Sequence, residues 1–182
     1  MTETPSRVAL VTPADAPILV RGYFQDGPPG PLAGAAAHVP EVMVAFMPFV
    51  GAVYAAGAVP ERLREIVVLR LSAAQGCRYC TETHADVAIR SGFTRAEVTA
   101  LVEGIPGPSW SAAEAAVINF TEAMSGDPGN AVALLRPAFA DHEVVELVML
   151  ASATIMLNRF ATALALPTAP ECKLRLAELR PA

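Results

Sequence analysis

The sequence is poor in charge. Charged residues make up only 17% of its 182 positions, the net charge is −5, and the 13 Lys and Arg residues form no cluster. Binding to a phosphate backbone requires a basic patch, so we exclude nucleic acid as a partner. The segment Met1–Pro13 also lacks an apolar stretch long enough for a signal peptide, which predicts a cytoplasmic location.

Cysteine is scarce as well, with three residues in the chain. Cys77 and Cys80 form a C-x-x-C pair, and Cys172 stands alone. So few cysteines argue against a disulfide framework of the kind that holds small secreted domains together. In a reducing compartment, the C-x-x-C pair instead indicates redox chemistry or a metal site.

One uncharged run raises the question of a membrane span. Residues 42–59 carry no charge over 18 positions, but they contain Pro48 and Gly51. The run only reaches the lower limit of spanning length, and Glu41 and Glu61 flank it in place of basic anchors. We therefore expect a buried core or interface helix here, and no contact with a membrane.

Hydrophobic residues, in contrast, are abundant at 53% of the chain. This composition is typical of a globular protein, and the length fits one domain. The apolar surplus exceeds what one small core can easily bury, which favours a homo-oligomer. We divide the chain into an N-terminal arm, residues 1–30, and an all-helical domain, residues 31–182.

Nearly all local signals are helical, and no convincing pair of strands is present, so the predicted fold class is all-α. Two capping boxes, Thr94 with Glu97 and Ser111 with Glu114, each predict the start of a helix. The expected helices are 40–57, 61–74 (buried nearly all round), 77–91, one after each capping box, 141–166 and a short one after Pro170.

The stretch with the most chemical content is Cys77-Arg78-Tyr79-Cys80-Thr81-Glu82-Thr83-His84. Cys77 and Cys80 lie three residues apart at the start of a helix, so their side chains share a face and can close a disulfide. His84 follows Cys80 by one turn on that face. The helix dipole and the free backbone N–H groups lower the pKa of a thiol there, and an imidazole can remove its proton.

Glu65 belongs to this group for two reasons. It lies on the preceding helix at about the same distance from the turn as His84, and an unpaired carboxylate among apolar residues is costly. If the chain turns near Gly76, Glu65 lies about 16 Å and His84 about 12 Å from the turn. We predict that Glu65 orients His84, which activates Cys80, and that Cys77 resolves the oxidised product. The simpler alternatives are a surface role for Glu65 and a packing role for His84.

The pattern Glu-x11-Cys-x-x-Cys-x-x-x-His resembles the active-site signature of the alkylhydroperoxidase D-like branch of the carboxymuconolactone decarboxylase superfamily. The likeness covers roughly residues 31–166 and includes Pro40-Glu41, Ser91-Gly92-Phe93-Thr94 and Asn158-Arg159. It implies an all-α fold that assembles as trimers or hexamers. We interpret Asn158 and Arg159 as a buried polar pair that holds helices together.

Carried onto this chain, the resemblance makes Cys80 the peroxidatic cysteine and Cys77 the resolving one, with Glu65 and His84 in the proton relay. The cysteines would cycle between dithiol and disulfide while reducing a peroxide or other small-molecule substrate. An external dithiol or protein would then restore the thiols, and no bound organic cofactor is implied. One departure is Tyr79, which stands where peroxidase members often have a second histidine.

Other functions stay open at this point. A structural zinc site would use Cys77, Cys80 and His84, with Glu65 or Cys172 as the fourth ligand. A non-redox decarboxylase of the same superfamily would have no use for the dithiol. A non-catalytic redox sensor would change its assembly when the disulfide forms, without turnover.

Overall fold

A computed structural model of the chain describes residues 5–168. Within that range the backbone is helical, with no strand, and the all-α prediction is confirmed. The elements are a 3-10 helix at Ile18–Phe24, α1 at Pro31–Ala36, α2 at Pro40–Ala55, α3 at Glu61–Ala74, α4 at Arg78–Arg90, α5 at Arg95–Glu103, α6 at Ala112–Ser125, a 3-10 helix at Pro128–Asn130, α7 at Ala131–Leu135 and α8 at Asp141–Ala163. Cys172 and the helix expected after Pro170 lie outside the described residues.

Helix α3 is the centre of the fold. Eight of its fourteen residues are buried and only Glu61 and Ala74 are exposed, in agreement with the predicted burial nearly all round. It packs against α4, α5, α6 and α8, and its Ile66 and Leu69 belong to a core that also contains Phe120 and Leu147. A carboxylate on this helix, Glu65, is therefore held among apolar neighbours on the side that α4 covers.

Both predicted capping boxes are present, and one arginine joins them. The Thr94 and Ser111 hydroxyls accept from the backbone N–H of the glutamates three residues later, at 3.2 Å in each box. Arg62 on α3 forms ion pairs with both capping glutamates, with its Nε 2.6 Å from Glu114 Oε1. Through these contacts, the core helix fixes the starts of α5 and α6.

The segment before α1 packs onto the helices. Val20 and Phe24 of the first 3-10 helix are buried in a small cluster with Met43 of α2. Further towards the N-terminus, the backbone N–H of Arg7 donates to the carbonyl of Leu164 at 2.8 Å. Residues near the chain start therefore lie against the end of α8, close to the C-x-x-C pair.

Helix α2 differs from the core helix that we expected as one alternative. Only Met43 and Val53 are buried among its sixteen residues, and Val42 is 60% exposed. Phe49 is also exposed, so a core position is wrong for this helix in the single chain. The other alternative, an interface helix, stays a prediction.

Helix α8 is a second segment whose length and composition are those of a membrane span. Among the described residues it is the one helix long and apolar enough to cross a bilayer. Half of its apolar window, however, is buried against the rest of the fold, which is the behaviour of a core helix. The helix ends at Ala163, three residues before the predicted end.

Candidate active site

The C-x-x-C pair lies at the N-terminus of α4, after a tight turn. Gly76 makes this turn with a φ of +67°, a value that favours glycine, and Cys77 then caps the helix. The Cys77 Sγ accepts a hydrogen bond from the backbone N–H of Cys80 at 3.3 Å, in the manner of a serine or aspartate cap. Both cysteines are buried free thiols.

The two thiols ionise as a coupled pair. The Cys80 thiol donates to Cys77 and lowers the pKa of Cys77 to about 7, although burial opposes this shift. The Cys80 backbone N–H, the Thr162 hydroxyl and the charge of His84 act in the same direction. The pKa of Cys80 is raised by its contact with Cys77 and by burial, since a second negative charge beside the first is costly. The pair therefore ionises once near pH 7, and the charge lies on Cys77.

Glu65 and His84 lie side by side across the α3–α4 interface. His84 Nδ1 is 3.0 Å from Glu65 Oε2, and both side chains are mostly buried. The pairing predicted from helix heights is present, and the carboxylate fixes the orientation of the ring. The Tyr54 ring of α2 covers the imidazole, with a distance of 5.7 Å between the ring centroids.

Cys80 and His84 face one cavity of about 190 Å³. Its walls are largely apolar, so water is poorly held there and a small apolar group fits. The lining consists of Leu32, Val50, Tyr54, Tyr79, Cys80, Thr83, His84, Leu157 and Asn158. The geometry thus joins a thiol, an oriented imidazole and a site for a small molecule.

Cys77 faces a second cavity of about 300 Å³. This one is more polar, and both Arg7 and Arg78 contribute to its walls. Tyr79 lines both cavities and separates the surroundings of the two sulfur atoms. Each cysteine therefore lines its own cavity.

Part of the chain is similar to a known protein family. Residues 40–123 match the model of the carboxymuconolactone decarboxylase family, a stretch that includes α3, α4 and the Glu65–His84 pair. By this match the chain is similar to the carboxymuconolactone decarboxylase family. A search of curated proteins gave no match.

Several solved structures share the fold of the chain. The AhpD core structure of a peroxidase-related protein from Ralstonia eutropha JMP134 has a TM-score of 0.81 at 18% identity, over 96% of this chain and 97% of that one. The debrominase Bmp8 has a TM-score of 0.76 at 25% identity, over 96% of this chain and 100% of that one. A protein of unknown function from Agrobacterium tumefaciens, described as a candidate antioxidant defence protein AhpD, has a TM-score of 0.68 at 24% identity, over 75% and 97%.

Tyr54 and Asn158 line the cavity of Cys80 but were not assigned to the site from the sequence. Tyr54 gave no signal beyond its place in an apolar helix; its hydroxyl lies 3.1 Å from Thr154 Oγ1, and burial raises its pKa, so the phenol stays neutral. Asn158 was interpreted with Arg159 as a buried polar pair. Asn158 is buried, but Arg159 is exposed, so that interpretation is wrong for Arg159.

The zinc alternative finds no support in the described part of the chain. Among residues 5–168, no group of three or more His, Cys, Asp or Glu side chains is placed to hold a metal ion. His84 uses its Nδ1 on Glu65. Cys172, the other ligand considered, lies outside that range.

Proposed function

We propose that the chain is a thiol-dependent peroxidase, in which Cys77 and Cys80 cycle between dithiol and disulfide. One observation carries the proposal: Cys80 and His84 line the same small cavity while Glu65 holds the far side of the imidazole. Similarity to the family and to AhpD-like structures supports enzymatic, peroxidase-related chemistry. The same relationships support a small-molecule substrate and an external reductant.

The cycle begins with a proton shift inside the cysteine pair. In the resting geometry the thiolate is on Cys77, which receives the hydrogen bonds, and Cys80 keeps its proton. Transfer of this proton from Cys80 to Cys77 gives a Cys80 thiolate in the cavity, next to protonated His84. The two arrangements carry the same total charge, so the shift needs no proton from solvent.

The Cys80 thiolate then attacks the peroxide. A sulfur–oxygen bond forms, the oxygen–oxygen bond breaks, and Cys80 becomes a sulfenic acid as the peroxide is reduced by two electrons. The leaving oxygen takes its proton from His84, whose ring Glu65 orients. Cys77 next displaces water from the sulfenic acid and closes the disulfide, which an external dithiol reduces by exchange.

Thiol titration of the purified, metal-free protein tests this cycle, before and after one equivalent of hydrogen peroxide. We expect a rapid loss of two thiols in the wild type. Cys80→Ser abolishes the fast phase, Cys77→Ser stops at the sulfenic acid, and His84→Ala slows the reaction by about 100-fold or more. A His142→Ala variant is the matched control, because His142 is exposed on α8 and lies away from both sulfur atoms.

The outcomes separate the proposal from its rivals. Equally slow thiol loss in all five proteins would refute peroxidase function. A redox sensor would then change its oligomer size on oxidation without turnover, and a non-redox decarboxylase would turn over a muconolactone unaffected by Cys80→Ser. We expect the protein to act in the cytoplasm, where a thiol reductant is available.

A second candidate function is reductive dehalogenation. The largely apolar cavity suits a small ring, and the similar debrominase Bmp8 has been crystallised as a cysteine-to-alanine variant with 2,3,4-tribromopyrrole. Such a reaction needs the same two electrons from the dithiol: Cys80 takes the bromine while the ring gains a proton, and Cys77 releases bromide as the disulfide forms. Bromide release from a bromopyrrole, at one equivalent per disulfide, would favour this function over peroxide reduction.

A further inference from the structure

Asn158 of α8 has an unusual hydrogen-bonding state. Its side chain is 1% exposed, and its Oδ1 accepts a hydrogen bond from Ser72 Oγ at 3.1 Å. Its Nδ2 has no hydrogen-bond partner among residues 5–168. A buried amide N–H without an acceptor is costly, and native proteins retain such groups mostly where they have a function.

The unpartnered amide lines the cavity that contains Cys80 and His84. Other polar side chains of this cavity are engaged elsewhere. The Thr83 hydroxyl donates to the Tyr79 carbonyl at 2.8 Å, and the Tyr54 hydroxyl pairs with Thr154. Asn158 therefore offers a buried N–H donor to a small molecule in an otherwise apolar enclosure.

We propose that the Asn158 Nδ2–H donates a hydrogen bond to the peroxide oxygen that leaves when Cys80 attacks. This inference rests on the proposed peroxidase function. In the attack, the sulfur–oxygen bond forms as the oxygen–oxygen bond breaks, and negative charge collects on the leaving oxygen until His84 protonates it. A fixed donor in a mostly apolar cavity stabilises that charge more than it stabilises the neutral peroxide, and so it lowers the barrier.

Ser72 holds the amide in place for this purpose. Its hydrogen bond to Oδ1 occupies the acceptor side of Asn158, which leaves the donor side for the substrate. Ser72 is on the core helix α3 and Asn158 on α8, so the contact joins two packed helices. Ser72 is accordingly a positioning residue, while Asn158 contacts the substrate.

The test compares two reactions of Cys80 in the wild type, Asn158→Leu and Ser72→Ala. One is the single-turnover reaction with hydrogen peroxide; the other is alkylation by iodoacetamide, whose leaving iodide has little need of the donor. Trypsin cleaves after Arg78, so Cys80 alkylation is measured on peptide 79–90, separately from Cys77. The readout is the ratio of the peroxide rate to the alkylation rate.

We expect Asn158→Leu to lower this ratio by about 10-fold to 100-fold, because one charge-stabilising donor is lost while the thiolate is kept. If Asn158→Leu does not fold, Asn158→Ala, which adds no bulk, takes its place and should also lower the ratio. Ser72→Ala keeps the donor but loses the contact that holds it, so the ratio should fall less than in Asn158→Leu, by about 3-fold.

Three results would overturn the inference. An unchanged ratio in Asn158→Leu and Asn158→Ala, with a fast wild type, rejects the donor role and leaves the peroxidase function intact. A larger fall of the ratio in Ser72→Ala than in Asn158→Leu assigns the effect to helix packing instead. Slow peroxide reaction of the wild type itself rejects the proposed function, and this inference with it.

Discussion

The ionisation of Cys77 gives the sharpest prediction. Hydrogen bonds from Cys80 lower the pKa of Cys77 from 9.0 to about 7. At pH 7, a thiol with the ordinary value is about 1% thiolate, whereas a thiol with a pKa of about 7 is about half thiolate. The intrinsic nucleophilicity of the lower-pKa thiolate is about 6-fold to 10-fold weaker, so the net gain in rate at pH 7 is about 5-fold to 8-fold.

The midpoint of the pH–rate profile is a better measure than the absolute rate, because burial slows access to the sulfur. We expect iodoacetamide alkylation of Cys77 to rise with pH around a midpoint of about 7 in the wild type. Cys80→Ala removes the thiol donor and should move this midpoint up towards 9.0. Thr162→Val removes a weaker donor and should move it less far in the same direction.

Mass spectrometry of tryptic peptide 71–78, alkylated over a range of pH, measures the profile of Cys77 alone. Thr83→Val is a matched control, because it removes a hydroxyl of α4 that donates to the Tyr79 carbonyl instead of to a thiol. A wild-type midpoint near 9.0, or a midpoint that Cys80→Ala leaves unchanged, would refute the proposed sharing of one thiolate between the sulfur atoms.

Three further predictions follow from the same contacts. Glu65→Gln keeps the shape of the side chain but loses the charge that supports protonated His84, so stopped-flow thiol loss with peroxide should slow by about 10-fold or more. Arg62→Met removes both ion pairs to the capping glutamates and should cost about 1–2 kcal/mol at pH 7, or about 2–8 °C in Tm. Burial opposes ionisation of these two glutamates, but hydrogen bonds to their helix caps and to Arg62 lower their pKa overall. Their stabilisation is therefore present above pH 4.5 and lost below it, and equal differences in Tm at pH 3 and pH 7 would contradict the assignment. A homo-oligomer with α2 at its interface is a prediction, and Phe49→Asp tests it by placing a charge on the exposed face of α2. The sedimentation mass should fall below that of the wild type, and an unchanged mass would show that α2 is not the interface.

Much of the fold follows from local sequence signals. Pro40 and Pro60 mark the starts of α2 and α3, and the two capping boxes predict the starts of α5 and α6. These signals act over a single turn of helix, where the chemistry of the cap decides the boundary. The short helices α1 and α7, with six and five residues, were not predicted, since so few residues carry no measurable period.

The exposed position of α2 could not be derived in the same way. Its composition is that of a core helix, yet half of its apolar side chains are exposed in the single chain. Composition sets how much apolar surface a helix has, but other elements decide whether that surface is covered. Whether a second copy of the chain covers it is the question that the Phe49→Asp experiment answers.

Within the candidate site, the sequence by itself determined which reactive side chains of α4 lie together. The spacings from Cys77 to Cys80 and from Cys80 to His84 fix which side chains share a helix face, because the period of the helix is constant. Even Glu65 was placed correctly, since one short turn and the rise per residue set its height opposite His84.

Only the tertiary structure decided what surrounds these residues. Tyr54, Asn158 and the division of the two sulfur atoms between two cavities depend on how α2 and α8 pack against α4. Asn158 lies 78 positions after Cys80 in the sequence, and no local period relates residues at that distance. The sum of many side-chain contacts sets the packing of distant helices, so the group of Cys80, His84 and Glu65 could be derived from the sequence and its enclosure could not.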